Sequence, residues 1–124
     1  AAARRLPIEL ADVVPYPSTV ADTEFLLATA WHGGLGEPVA AMTPCMRLYA
    51  YLGQDLAASR SDHHPYREWM DAYASDALEE LTAELETVLD LCAEDGPEVR
   101  EAYRYALQCE VDFFSAPFDD ASPP

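Results

Sequence analysis

The stretch that decides the fold is residues 44–49, which read Pro44-Cys45-Met46-Arg47-Leu48-Tyr49 in the middle of a strongly helical pattern. Proline has no N–H and its ring crowds the preceding turn, so a helix accepts it, at roughly 3 kcal/mol, only where packing or a site over-determines it. Tyr49 follows Cys45 by four residues, on the same helical face. A thiol at a kink with a phenol one turn away suggests a positioned nucleophile. The alternative is a small core residue.

Working outward from this stretch, helical periodicity continues and the alternation typical of strands is absent. Proline and glycine mark the boundaries of the predicted helices. The helices are expected at 18–31, 38–59, 65–73, from 75 to the break at Gly96-Pro97, and at 98–115, with a short helix-compatible stretch at 1–6. The sequence thus predicts an all-α fold in a single domain, 1–124, with an N-terminal segment and loop (1–17), a helical core (18–116) and an acidic tail (117–124).

The apolar spacing also predicts which side of each helix is buried. Ser18 or Thr19 is expected to cap the first helix and Ser75 the fourth. The predicted buried positions are Phe25, Leu26, Thr29 and Ala30 in the first helix, Ala41, Cys45, Leu48, Tyr49 and Leu52 in the second, and Leu78, Leu81, Leu85, Val88, Leu89 and Cys92 in the fourth.

The last helix carries one carboxylate on its apolar stripe. Glu110 follows Ala106 by four residues and precedes Phe113 and Phe114, in the stripe Val99, Tyr103, Ala106, Leu107, Glu110, Phe113, Phe114. Burial of a carboxyl group is costly unless the group is paired, and it raises the pKa towards values useful for proton transfer. We therefore consider Glu110 a candidate acid–base group. The alternative is a position at the edge of the stripe, where the carboxylate reaches solvent.

The charge balance limits the classes of molecule that the protein is expected to bind. Seven basic residues, all arginine, face 23 acidic ones, for a net charge of −16. Such a field repels phosphate backbones and anionic lipid, so nucleic-acid and membrane partners are not expected. Neither a transmembrane segment nor a signal peptide is apparent, and we expect a cytoplasmic protein. Lysine-free acidity fits a high-salt cytoplasm or, equally, a high-GC genome; undiminished stability in low salt would contradict the first.

Metal binding is not expected either. Cys45, Cys92 and Cys109 form no CxxC pair, and Cys92 and Cys109 are interpreted as core residues. His63 and His64 follow Asp62, but adjacent residues point in different directions and no fourth ligand stands at a plausible spacing. We interpret this segment as a solvated loop with a capping role before the next helix.

Four stretches together resemble the TenA/thiaminase II family, whose members have the helical haem-oxygenase-like fold. They are TEFLL (23–27), AMTPCMRLYAYLG (41–53), HPYREWMDAYAS (64–75) and EVDFF (110–114). The two middle stretches are specific in wording and order, and the resemblance covers nearly all of residues 17–117.

The resemblance implies an aminopyrimidine hydrolase of thiamin salvage that needs no cofactor and no metal. Cys45 would attack the pyrimidine ring, and Glu110 would transfer protons to and from the ring and the leaving group. Tyr49 and Tyr73 would bind and orient thiol and ring, and Phe113 would form a pocket wall. The ligand would be a small-molecule pyrimidine, such as an aminomethylpyrimidine or a thiamin breakdown product. The family is commonly homotetrameric, so a homo-oligomer is expected.

Two departures from the family pattern limit this expectation. The chain is expected to be N-terminally truncated relative to the family, whose first helices supply a pyrimidine-binding aspartate. Asp22 stands where the family usually has tyrosine, and its carboxylate is expected to oppose thiolate formation. Three hypotheses stay open: an active hydrolase completed by another segment, a relative that binds a pyrimidine or assembles without turnover, and an acidic helical interaction module.

Overall fold

The structure is a computed structural model that describes residues 13–32 and 34–119. Its described part consists of five helices and no strand: α1 Pro17–Trp31, α2 Gly36–Ser59, α3 Arg67–Tyr73, α4 Asp76–Cys92 and α5 Pro97–Asp119. The prediction of an all-α fold is therefore confirmed. The short helical stretch expected at 1–6 lies outside the described residues.

The helix starts show which sequence signals act. The side chain of Ser75 accepts a hydrogen bond from the Leu78 backbone N–H at 3.3 Å, so the predicted cap of α4 is confirmed. The predicted cap of α1 is wrong, because α1 begins at Pro17 after an extended Tyr16 that makes no side-chain cap bond. Proline fixes φ near the helical value and lacks the N–H that a first turn leaves unpaired, so it can start the helix without a cap. Ser18 and Thr19 consequently lie inside the helix.

Helix α2 runs without interruption over Pro44 for 24 residues. Pro44 is fully buried, and the hydroxyl of Thr43 before it, also fully buried, donates a hydrogen bond to the Val39 carbonyl at 2.7 Å. Helix α2 packs against all four other helices, and α1 also packs on α5. The proline therefore lies in the helix that packs against all the others, and this packing offsets the free-energy cost of a proline inside a helix.

Small side chains make the centre of the bundle narrow. The buried apolar residues are Val39, Ala40, Ala41, Ala50, Met70, Ala102, Ala106 and Cys109. Helices α2 and α3 lie very close together at Gly53, because a Cβ placed there would lie 2.4 Å from the backbone carbonyl carbon of Tyr73. The absence of a side chain at position 53 therefore lets α3 lie directly on α2 and fixes the position of Tyr73.

Several predicted buried positions are wrong. Leu81 is 53% exposed and Val88 40% exposed, whereas Thr82, between them in the helix, is completely buried. The apolar stripe of α4 is wider than its contact with α2, so only the side chains nearest the contact line are covered. Ala30 and Leu107 are exposed for the same reason.

The end of α5 also differs from the prediction. Residues 117–119, predicted to belong to the acidic tail, continue the helix, and Pro117 lies inside it. The last turns of α5 line a cavity together with Tyr16, Pro17 and Ser18 at the start of α1. The end of α5 thus faces the start of α1 across this cavity. Among the described helices, none combines the length and the apolar character needed to cross a membrane.

Candidate active site

Three helices bring the predicted site residues together. Helix α2 carries Cys45 and Tyr49, α3 carries Tyr73, and α5 carries Glu110 and Phe113. Since α2 packs on both α3 and α5, residues separated by up to 68 positions in the chain converge on one side of α2. We call Cys45 and Glu110 the thiol–carboxyl pair.

The two members of the thiol–carboxyl pair act on each other's protonation. The Glu110 carboxylate raises the pKa of the Cys45 thiol, and the thiol lowers that of the carboxyl group. Glu110 is only 6% exposed, and Cys45 is partly buried. The alternative in which Glu110 reaches solvent from the edge of its stripe is therefore wrong. The cost of burying the carboxylate is offset in part by the thiol hydrogen bond.

Burial and negative charge keep both members of the pair protonated more strongly than usual. Burial raises the pKa of Cys45 to about 12, helped by the hydrogen bond and charge of Glu110 and by the charge of Asp22. Burial also raises the pKa of Glu110; the Cys45 hydrogen bond opposes this rise and the Asp22 charge adds to it. The site thus holds a neutral thiol beside a carboxylate with increased proton affinity. The expectation that Asp22 opposes thiolate formation is confirmed in direction.

An aromatic cluster continues from the thiol along α2. The ring of Tyr49 lies 5.0 Å from that of Tyr73, 5.8 Å from that of Phe114 and 6.1 Å from that of Trp69, between centroids. Trp69 and Tyr73 are 4.6 Å apart. Burial first, then the charge of Glu110, raises the pKa of Tyr49 to about 12, so its hydroxyl stays protonated and can donate a hydrogen bond.

The cluster opens into a cavity of about 450 Å³ with a mainly apolar lining. Its walls are Tyr49, Leu56, Tyr66, Trp69, Met70, Phe113 and Phe114. Phe113 therefore lies on a pocket wall, against Phe114 in an edge-on contact at 5.5 Å. The volume falls within the range of small-ligand sites. Aromatic faces and the phenol hydroxyls of two tyrosines suit a flat heteroaromatic ring.

Sequence reasoning missed the place of Trp69 and Phe114 in this cluster. The sequence patterns place Phe114 on the apolar stripe of the last helix and assign no role to Trp69. The available signal was the spacing of Trp69 and Tyr73, four residues apart in α3, which puts both rings on one helical face. Only the packing of α3 on α2 shows that this face meets Tyr49.

A second missed feature lies on α2 only two residues from the thiol. Arg47 donates two hydrogen bonds to Glu86, at 2.7 and 2.8 Å, and binds both carboxylate oxygens of Glu79 at 2.9 and 3.0 Å. Gln54 donates a further hydrogen bond to Glu79 at 2.9 Å. We call Arg47, Glu79 and Glu86 the Arg47 clamp. The signal was the seven-residue spacing of the two glutamates, which places them on one face of α4.

The histidine loop has a local role. His64 accepts a hydrogen bond from the Tyr66 backbone N–H at 3.2 Å, just before α3 begins. Across residues 13–32 and 34–119, no three histidine, cysteine, aspartate or glutamate side chains are grouped so that they could hold a metal ion.

With this geometry in place, comparison with known proteins identifies the family. The family model of the TENA/THI-4/PQQC proteins matches residues 3–119. The chain belongs to the TENA/THI-4/PQQC family. A solved structure of a "TenA homologue protein from P.horikoshii OT3" matches with a TM-score of 0.78 at 24% identity, over 92% of this chain and 56% of that one. The predicted haem-oxygenase-like helical fold is thereby confirmed.

Curated relatives include proteins with names from thiamin metabolism. The chain is 39% identical, over 71% of its length, to an aminopyrimidine aminohydrolase of Halalkalibacterium halodurans, and covers 42% of that protein. It is 35% identical, over 80% of its length, to the mitochondrial bifunctional TH2 protein of Arabidopsis thaliana, and covers 20% of it. The chain thus spans less than half the length of these curated relatives.

Proposed function

We propose that this chain is part of an aminopyrimidine hydrolase of the thiaminase II type. Such an enzyme cleaves a C–N bond at the exocyclic methylene of a thiamin pyrimidine. The observation that carries the proposal is the thiol–carboxyl pair of Cys45 and Glu110, one helical turn along α2 from Tyr49, which lines the aromatic cavity. Cys45, Glu110 and Tyr73 are not themselves among the residues that line this cavity. Its similarity to a relative named aminopyrimidine aminohydrolase supports the same substrate class.

The first step is the attack of Cys45 on the pyrimidine ring. Because its pKa is about 12, only about one thiol in 10⁵ is ionised at pH 7. Free thiolate is therefore too scarce to act as the resting nucleophile. Glu110 accepts the thiol proton as the S–C bond forms, which its raised pKa favours. The electron pair of the attacked ring bond moves into the ring, and aromaticity is lost.

The second half of the reaction returns the enzyme to its resting state. The ring electrons expel the nitrogen of the protonated aminomethyl group, which takes the C–N electron pair and leaves as neutral ammonia. Water adds to the methylene carbon, and the ammonia takes up the proton that this water loses. The S–C bond then breaks, the ring regains aromaticity, and the sulfur recovers its proton from Glu110. The net change is hydrolysis of an aminomethyl group to a hydroxymethyl group and ammonia, with no oxidation or reduction.

The aromatic cluster orients the ring for this attack. Tyr73 and Tyr49 lie next to each other, with Tyr49 one helical turn from Cys45. A pyrimidine stacked in the cavity would meet the Tyr49 hydroxyl as a donor and Phe113 as a wall. Holding the ring close to the thiol supplies the proximity that a weak nucleophile needs.

The alternative is a family member that binds a pyrimidine, or assembles with a fuller relative, without turnover. Asp22 favours this alternative, because its charge adds to the rise in the Cys45 pKa and so disfavours the thiolate, the attacking form of sulfur.

Both versions of the proposal include a cytoplasmic location and assembly into a homo-oligomer. Exposed apolar side chains such as Trp31 and Leu91, 84% and 82% exposed, support association. Light scattering after gel filtration measures it.

The deciding experiment measures ammonia release from 4-amino-5-aminomethyl-2-methylpyrimidine. Wild-type chain is compared with Cys45→Ala and with Cys92→Ala, a matched control because Cys92 is also a partly buried free thiol but lies on α4. We expect Cys45→Ala to lose release by at least about 10³-fold and Cys92→Ala to keep it. Equal activity of all three proteins would contradict the role of Cys45. Substrate binding without release by well-folded wild type would support the binding-only alternative.

A further inference from the structure

Asp22 is the one carboxylate of α1 that lies at the thiol–carboxyl pair, and helix packing explains why. The start of α1 and the end of α5 line one cavity. Further along, the rings of Phe25 and Tyr105 are in tilted contact with centroids 4.6 Å apart, so the two helices run antiparallel. One turn back along α1 from Phe25 is Asp22, and one turn forward along α5 from Tyr105 is Cys109, next to Glu110. This register puts Asp22 opposite the pair.

The electrostatic environment agrees with this placement. The charge of Asp22 acts on Glu110 and Cys109 of α5 and on Cys45 and Tyr49 of α2. Asp22 itself is only partly exposed, and burial raises its pKa. Two carboxyl groups thus face one thiol from two different helices.

No cation of the described chain balances this charge. All five arginines in the described ranges are paired with carboxylates elsewhere: Arg47 with Glu79 and Glu86, Arg60 and Arg67 with Asp71, Arg100 with Asp95 and Arg104 with Glu101. No lysine occurs in the sequence. Within residues 13–32 and 34–119, no positively charged group affects the pKa of Asp22 or of Glu110. Two carboxyl groups that have no cationic partner among the described residues favour a ligand that brings its own positive charge.

We propose that Asp22 is a specificity-determining residue that selects pyrimidines whose departing group is a protonated amine over isosteric neutral ones. The inference rests on the proposed function and names the charge state of its substrate. An aminomethyl group is an ammonium ion at neutral pH, as alkyl amines are. Asp22 would pair with this ammonium in the bound substrate. On ring-driven C–N cleavage the nitrogen keeps its three protons, takes the bonding pair and leaves as neutral ammonia, which Asp22 no longer holds.

The test compares two ligands of nearly equal size, 4-amino-5-aminomethyl-2-methylpyrimidine and its 5-hydroxymethyl counterpart, which is neutral at the same position. Dissociation constants are measured by calorimetry at pH 7 in the Cys45→Ala background, which cannot turn over. Added to this background are Asp22→Asn, Asp22→Tyr as a second neutral variant, Asp22→Glu, and Glu24→Gln. Glu24→Gln is the matched control, because it removes one charge from an exposed position two residues further along α1.

We expect the amine to bind about tenfold more tightly than the alcohol, as a partly desolvated ion pair allows. Both neutral variants should remove this preference by weakening the amine alone, whereas Asp22→Glu restores much of it and Glu24→Gln keeps it. A preference that declines with added salt is expected as well. Equal affinity of the two ligands, or a preference that survives in both neutral variants, would overturn the inference while leaving the proposed function intact. Failure of both ligands to bind would instead contradict the proposed function.

Discussion

Two groups of acidic side chains interact with helix α2 within a single turn, one at Arg47 and one at Cys45. The pKa values of the two groups are shifted in opposite directions. In the Arg47 clamp, hydrogen bonds from one guanidinium hold the pKa values of Glu79 and Glu86 below their usual range. At the thiol–carboxyl pair, two residues away, burial raises the pKa values of Glu110 and Asp22, and no cation among the described residues opposes this rise. The clamp joins α2 to α4, whereas the pair joins α2 to α5.

The comparison shows that one helix can carry a stabilising ion-pair cluster and a candidate reactive site within one turn. A glutamate with an arginine partner stays ionised and fastens two helices, but it has little tendency to accept a proton. A glutamate deprived of such a partner costs stability and accepts protons readily, which a general base requires. The five arginines of the described residues are paired with carboxylates elsewhere, and the raised pKa of Glu110 comes first from its burial.

The largest expected effect comes from removing the proton acceptor. Glu110→Gln should lower ammonia release by about 10²- to 10⁴-fold, the usual worth of a general acid–base group. The same change removes the negative charge that raises the pKa of Cys45, while the amide oxygen can still accept a hydrogen bond from the thiol. Iodoacetamide should therefore alkylate Cys45 faster in Glu110→Gln than in wild type at pH 8, as measured by mass spectrometry of the Cys45 peptide.

The matched control for this change is Asp112→Asn, since Asp112 is an exposed carboxylate two residues further along α5. It should alter neither ammonia release nor the alkylation rate by more than about twofold. Full activity in Glu110→Gln, or a thiol that reacts more slowly there, would refute the acid–base role.

The site can also be broken without changing any charge. Gly53→Ala places a Cβ 2.4 Å from the Tyr73 backbone, so α3 must move. Overpacking of this kind costs about 1–3 kcal/mol, although alanine is otherwise the better helix former by about 1 kcal/mol. We expect lower thermal stability and weaker pyrimidine binding, because Tyr73 is displaced from Tyr49. In Gly36→Ala the nearest atom, Ala93 Cα, is 3.1 Å away, so a smaller loss is expected. Stabilisation by Gly53→Ala would show that α3 is free to shift.

A smaller effect is expected at the clamp. Arg47→Met keeps the aliphatic stem and should lower the free energy of unfolding at pH 7 only slightly, because ion pairs open to solvent contribute little. Because the folded-state pKa values of Glu79 and Glu86 are lowered, this stabilisation is present above the unfolded glutamate value of about 4.3 and is lost as pH falls through the folded values. Denaturant titrations from pH 7 to pH 3 measure it. Arg104→Met, at an exposed pair with Glu101, is the control. A loss independent of pH would assign the effect to packing.

The smallest expected effect has the opposite sign. Since the folded-state pKa of Glu110 is raised, its ionisation costs stability at neutral pH, and this cost is relieved as pH falls through the folded value. Glu110→Gln should therefore be slightly more stable than wild type at pH 7, by about 1 kcal/mol or less, and the advantage should disappear in acid. The same titrations show it. A Glu110→Gln protein that is less stable than wild type at pH 7 would mean that the thiol hydrogen bond outweighs desolvation.

Local signals in the sequence predicted much of the fold. Proline and glycine placed the helix boundaries within a few residues, because backbone constraints act where these residues stand. The boundary predicted from Pro117 was wrong, because α5 continues past this proline to Asp119. The end of α5 and the start of α1 line one cavity there. Spacing also failed on α4, where Thr82 rather than Leu81 or Val88 is buried, because period alone does not fix how wide a neighbouring helix is.

For the site, the sequence by itself determined which residues carry chemistry: Cys45 after a costly proline, Tyr49 one turn on, and Glu110 on an apolar stripe. These patterns are local, since each is set by the period of one helix. Only the tertiary structure decided that Asp22 faces the pair and that Arg47 is held by α4. A carboxyl group's proton affinity depends on charges brought near by packing, and those neighbours lie tens of residues away in the chain.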